Sequence, residues 1–195
     1  MTNLPARVKQ HVAPKILTAD SYGHGNDTFE IDILKHIRNE AVSDPRGLHI
    51  LQLLDSFQHN GPNGAHACLV FPAMGPDMSK YRRLFPKLRI STQAIQIVSR
   101  QLLLALSFLH DTCRVMHTDI KPQNILIETP AIREIFDHAP PEVFESQEAA
   151  RDGNIMESVQ VSSAQEDLAQ SLRVSAKLAD FRASMMSYYG RRSAP

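Results

Sequence analysis

Apolar positions along this 195-residue chain recur with two different periods. Residues 11–17 (HVAPKIL) read as a strand that gives way to a polar, Gly-containing loop over 18–26. The segment 27–39 reads as a helix, because Ile33, Leu34 and Ile37 share one face at helical spacing. Glu30 falls on that same face, where a carboxylate is costly unless it is paired. Asp27 and Glu30 also fit a helix capping box. Two further strand-like runs, 49–57 and 66–71, flank the turn-rich Asn60-Gly61-Pro62-Asn63-Gly64 and predict a hairpin. Residues 72–78 hold two prolines and a glycine and read as a linker. A long helix lies within 89–110, with Ser91 or Thr92 as its N-cap. Ile95, Val98, Leu102, Ala105, Leu106 and Leu109 form its apolar stripe. Strands with one helix come first and a mainly helical part follows, a pattern that suits an α+β, two-lobed protein.

Charge refines this picture. The formal net charge is zero, so the whole molecule carries no nucleic-acid footprint. From Glu128 to Ala176, however, there are ten acidic residues against three Arg, a net of −7. That imbalance marks a separate acidic segment, with 132–136 and 167–174 as candidate helices and 140–160 as a flexible loop. Cys68 and Cys113 sit far apart in apolar surroundings and read as buried free thiols, which suits a reducing compartment. The longest apolar stretch, 102–109, is far shorter than the roughly 20 residues that a membrane span needs. The N-terminus lacks the apolar core of a signal peptide. The expectation is a cytoplasmic or nuclear protein with no membrane partner and no direct nucleic-acid binding.

The densest chemistry lies in His117-Thr118-Asp119-Ile120-Lys121-Pro122-Gln123-Asn124, just before the apolar run Ile125-Leu126-Ile127. A carboxylate, an ammonium and a carboxamide within six residues can activate a hydroxyl, neutralise a phosphate and hold a magnesium ion. Taken singly, Asp119 also reads as a turn residue after a helix, Lys121 as a solvated loop lysine and Asn124 as a loop cap.

The spacing His-x-Asp-x-x-x-x-Asn resembles the catalytic loop of protein kinases. The His-Thr-Asp-Ile-Lys-Pro form is similar to that of the SR-protein kinases, which act on serine/arginine-rich proteins. "FEIDILKHIRN" resembles that family's third helix, "LQLLDSFQHNGPNGAHACLVFPAMG" its paired strands and hinge, and "KLADF" the strand leading to its metal-binding Asp. Small-molecule phosphotransferases share His-x-Asp-x-x-x-x-Asn, but Lys121 two residues after the Asp favours a serine/threonine protein kinase. The resemblance implies a kinase-like fold: a small β-rich N-lobe with one helix over 1–76, and a mainly helical, incomplete C-lobe over 77–195 with an acidic insertion at about 128–176.

It also implies roles. Asp119 would orient the attacking hydroxyl and accept its proton, and Lys121 would contact the transferred phosphate. Asn124 and Asp180 would hold Mg2+. Lys15 matches the phosphate-binding lysine of the Val-Ala-x-Lys strand, with Glu30 as its ion-pair partner. Phe71 would guard the back of the adenine pocket, with Pro72, Ala73 and Met74 as the hinge. ATP and Mg2+ are the implied cofactors, and a protein rich in Arg and Ser the implied substrate. Three departures stand out: Pro14 where the family has an aliphatic residue, Pro72 without a backbone donor, and Arg182 where the family has glycine after Asp180-Phe181. No glycine precedes Gly23 and only fifteen residues follow Asp180. The reading is therefore a kinase domain truncated at both ends, or alternatively a pseudokinase that binds without turnover. The acidic segment reads either as a solvated loop or as an attractor of Arg-rich substrates.

Overall fold

The computed structural model describes residues 11–17, 28–61, 64–128, 142–144, 156–158 and 174–186. Three strands, β1 (Val12–Leu17), β2 (Asp55–Gly61) and β3 (Gly64–Pro72), form an antiparallel sheet in the order β1-β3-β2. The middle strand buries Ala67, Cys68, Leu69 and Phe71. Helix α1 (Thr28–Glu40) buries the expected Ile33, Leu34 and Ile37 almost completely. The Asp27 half of the candidate capping box lies outside the described residues.

The expected strand over 49–57 is displaced. Pro45–His49 is a 3-10 turn, whose first N–H groups are capped by Asp44 accepting from the Arg46 N–H at 3.0 Å. Ile50, Leu51 and Leu53 are buried outside any ladder. Ile50 meets Leu178 in an isolated bridge, and the Leu51 N–H donates to the Leu178 carbonyl at 2.9 Å. The strand proper starts at Asp55 and runs through Gln58-His59-Asn60, which the sequence marks as turn-like. As an edge strand with mostly exposed side chains, it needs no apolar alternation.

The linker is tied down. Gly75 N–H donates to Ile127 O at 2.9 Å and Ile127 N–H to Pro76 O at 3.0 Å. Asp77 then caps the short helix α2 (Met78–Tyr81). In α3 (Thr92–Ser107) the cap is Ser91, whose hydroxyl accepts from Ala94 N–H at 3.2 Å. The inner face of α3 runs through Ala94, Val98 and Ala105, which leaves Ile95 40% exposed and off the expected stripe. Beyond Ser107 the helix widens into a π turn, Phe108–Cys113, that stops at Arg114 in the left-handed region (φ 57°). Arg46 fastens this turn, since its guanidinium reaches Asp44, Ser107, Asp111 and Thr112. The Arg46 partnership holds the Asp44 carboxyl well below the usual carboxylate range.

The remaining strands pair in twos. β4 (Val115–Met116) pairs with β9 (Met185–Met186), and β5 (Ile125–Glu128) with β8 (Ser175–Leu178). β6 (Glu142–Phe144) pairs antiparallel with β7 (Met156–Ser158), inside the stretch that reads as a loop. These pairs bring Val143 and Phe144, the strand-favouring residues of an otherwise polar run, opposite Glu157 and Met156. The candidate helices at 132–136 and 167–173 lie outside the described residues, and Val174 is not helical. One apolar cluster runs from Leu17 through α1, β3 and α3 to Phe181.

Candidate active site

Lys15 sits on β1 directly opposite Leu69 of β3. Its Nζ donates to Glu30 Oε1 at 2.6 Å and to Asp180 Oδ1 at 3.0 Å. The buried carboxylate on α1 is therefore paired. Asp180 follows β8 and adopts φ 66°, a conformation that Asp tolerates better than most residues. Chain positions 165 residues apart thus meet at one ammonium.

Pro14, beside Lys15, costs the ladder nothing. Ala73 N–H donates to His11 O, so the hydrogen-bonded pairs of β1 and β3 are 11–73, 13–71 and 15–69. Pro14 belongs to the intervening pair with Val70, and its nitrogen faces the outer edge, where proline is accepted.

The loop after β4 is built around His117, which is buried to 1%. Its Nε2–H donates to Ala179 O at 2.9 Å, and its Nδ1 accepts from the Asp119 N–H at 3.3 Å. The Ala179 carbonyl can only accept, so Nε2 carries a proton. The ring also meets Phe181 edge-to-face at 5.0 Å. Thr118 adopts φ 62°, unusual for a β-branched residue, while its hydroxyl donates to Ala183 O. Asp119 is thereby turned outward, with Lys121 Nζ at 2.6 Å from its Oδ2. The ammonium, followed by the Asn124 amide, holds the Asp119 carboxyl below its ordinary 3.8, against the opposing effect of partial burial.

Asn124 is buried to 6%. Its Nδ2 donates to Asp119 O at 2.9 Å and to Asp119 Oδ2 at 3.0 Å. Its Oδ1 has no partner among the described residues. A buried, unpartnered carbonyl oxygen in the same cavity as the Asp180 carboxylate fits a hard cation such as Mg2+, which takes one or two protein carboxylates and completes its shell elsewhere.

These groups border a cavity of about 410 Å³. Lys15, Glu30, Phe71, Pro72, Met74, Asn124 and Asp180 line it, while Asp119 and Lys121 stand outside the lining. Ala73 does not line it either, and its N–H is given to His11 O. The Met74 N–H has no partner among the described residues. Arg182 does not occupy the positive-φ region, and Ser184 N–H closes a turn onto Phe181 O at 3.0 Å. The turn thus forms without the conformational freedom of glycine.

A residue with no chemical signature in the sequence completes the frame. Gln101 on α3 donates through Nε2 to Val174 O at 3.1 Å and accepts at Oε1 from Ala176 N–H at 2.8 Å. Its amide serves the outer edge of β8 as a neighbouring strand would, while Leu51 N–H serves Leu178. The strand that delivers Asp180 is therefore held on both edges.

A family model described as "Protein kinase domain" matches residues 4–163. This chain belongs to the protein kinase domain family. The chain is 36% identical over 119 residues to "Protein kinase dsk1" of Schizosaccharomyces pombe, covering 61% of this chain and 22% of that protein. It is 37% identical over 121 residues to "Serine/threonine-protein kinase SKY1" of Saccharomyces cerevisiae, covering 60% of this chain and 16% of the relative. Human "SRSF protein kinase 3" is likewise 37% identical over 121 residues, with coverages of 61% and 21%. The chain thus spans about a fifth of these relatives' length. In three dimensions it matches the crystallised PF14_0431 kinase domain with a TM-score of 0.58 and 22% identity, over 95% of this chain and 47% of that one. That likeness concerns the fold. Among the described residues no helix is long and apolar enough to cross a membrane.

Proposed function

We propose that this chain contributes the catalytic cleft of an ATP- and Mg2+-dependent serine/threonine protein kinase of SR-kinase type, phosphorylating Ser or Thr in proteins rich in Arg and Ser. The observation that carries the reading is the convergence of Lys15, Glu30, Asp180 and the unpartnered Asn124 Oδ1 on one cavity. Phe71, Pro72 and Met74 line the same cavity, where the Met74 N–H, without a partner among the described residues, would meet an adenine edge and Pro72 would offer only its carbonyl. Lys15 would hold the nucleotide's phosphates, kept in place by Glu30. Asn124 Oδ1 and Asp180 would hold the metal. A bound Mg2+ supplies charge neutralisation for the phosphates.

At the mouth, Asp119 would accept a hydrogen bond from the substrate hydroxyl, orient its oxygen toward the γ-phosphorus and take up the proton as ADP leaves. Such a transition state needs alignment and charge neutralisation more than a strong base, so a low carboxyl pKa is compatible with the role. Lys121 would leave Asp119 Oδ2 to meet the transferred phosphoryl oxygens. The names of the SR-kinase relatives and the His-Thr-Asp-Ile-Lys-Pro run support the substrate class. The deciding experiment is phosphate transfer from labelled ATP to an Arg-Ser repeat peptide, comparing wild type with Asp119→Ala. Signal confined to wild type supports the reading. Equal signal removes Asp119 from the mechanism, and no signal combined with intact nucleotide binding leaves a binding module.

A further inference from the structure

A charged surface beside the cleft is not used by this chemistry. Residues 78–110 contain Lys80, Arg82, Arg83, Lys87, Arg89 and Arg100 and no Asp or Glu. Five of these cations fall within ten residues, on the segment that follows the hinge. The segment is fixed from beneath: Tyr81 is buried to 1% and meets Phe85 edge-to-face at 5.1 Å, and Leu84, Phe85 and Ile90 pack on the core. Its cations all face solvent. Among the described residues Lys80, 73% exposed, reaches only Asp77 at 3.9 Å. Among the described residues Arg82, Arg83, Lys87 and Arg89 have no carboxylate partner. Lys87 and Leu88 stand consecutively in the left-handed region (φ 56° and 55°), which holds Leu88 51% exposed between the charges. The base of the segment touches the site, since Asp77 bridges Leu126, a residue lining the cavity.

We propose that this apron, Lys80, Arg82, Arg83, Leu88 and Arg89 with Lys87 beside them, docks an extended acidic segment of a partner protein that carries an apolar side chain for Leu88. Like charges that find few carboxylate partners among the described residues, on a base fixed by Tyr81 and Phe85, attract a polyanion. An Arg-rich strand meets only repulsion here, so the surface serves a different element from the phosphoacceptor stretch proposed above. An acidic peptide fits better than single-stranded nucleic acid, because the aromatic rings of the segment point inward and offer no stacking platform. The inference holds whether or not the chain turns over ATP.

The test is fluorescence anisotropy at low salt with a labelled Asp/Glu-rich dodecapeptide containing one Leu, a neutral Gly/Ser peptide, and an oligonucleotide of equal charge. The proteins are wild type, Arg82→Glu/Arg83→Glu, Lys87→Glu/Arg89→Glu, and Lys35→Glu, which reverses an exposed charge on α1. Expected is saturable binding of the acidic peptide alone, weakened about tenfold or more by either apron pair and changed less than about twofold by Lys35→Glu. Two separate apron pairs guard against one variant failing to fold, which a thermal melt reveals. No binding by wild type, equal loss with Lys35→Glu, or tighter binding of the oligonucleotide each overturns the proposal.

Discussion

The residues of the site differ in what their loss should do. Lys15→Met removes the ammonium shared by Glu30 and Asp180, and leaves two carboxylates facing one cavity. Phosphate transfer should fall about a hundredfold or more while the protein stays folded, as read from initial rates and a far-UV melt. Asp119→Asn should cost roughly a hundredfold to ten-thousandfold in kcat with little change in the KM for ATP, since Asp119 stands outside the cavity lining. Its carboxyl is held below 3.8 in the folded protein, so its charged contact with Lys121 persists above the unfolded value and fades only as pH falls through the lowered one. The rate profile should therefore show no acid limb from Asp119 above about pH 5. Cys113 behaves in the opposite sense. Burial, helped by Glu40 and Asp44, pushes its thiol up to about 12. That contribution is intact below the ordinary value of 9 and is lost as pH rises from there toward 12. At pH 8 iodoacetamide should spare Cys113 in the native protein and label it in urea, as peptide mapping would show.

At the scale of elements, the sequence displayed what is periodic or short-range and concealed what depends on distant chain. Helices α1 and α3 stand out because a buried face repeats every three or four residues, as Ile33, Leu34 and Ile37 do. The run at Asp119, Lys121 and Asn124 stands out because its groups lie within six residues. The apolar run at 50–53 misleads because burial there comes from the strand ending at Leu178, more than a hundred residues on. Polar β2 misleads in the other direction, being paired through its backbone while its side chains face water. The Gln101 amide had no pattern to reveal it, since its two partners, Val174 and Ala176, are backbone groups far away in sequence. Gln101→Leu leaves a buried donor and a buried acceptor unmet, and should destabilise by about 2 kcal/mol or more in urea titration. Ser91→Ala, losing only a cap, should cost about 1 kcal/mol.

For the molecule as a whole, the cavity proposed to take Mg2+-ATP ties these parts together. Its lining comes from β1, α1, the residues after β3, the loop after β4 and the end of β8, which the chain brings together only when folded. Binding should therefore raise the melting temperature, because a ligand held by the native state alone stabilises it by mass action. Differential scanning fluorimetry at millimolar Mg2+-ATP checks this, and Lys15→Met should abolish the shift. The two-part architecture was legible because strand signals precede helix signals. The cavity between those parts was legible only through the resemblance of its motifs, since its lining is drawn from sixteen scattered positions.

Pro14 carries a consequence of its own. Any strand that lies along the outer side of β1, whether from this polypeptide or a neighbouring copy, finds one rung of the ladder missing beside Lys15. Pro14→Val would restore that rung without disturbing the inner pairing, and the gain should show in light scattering as a greater tendency of copies to zip together. The imino acid beside the lysine would then act as a guard against unwanted self-pairing.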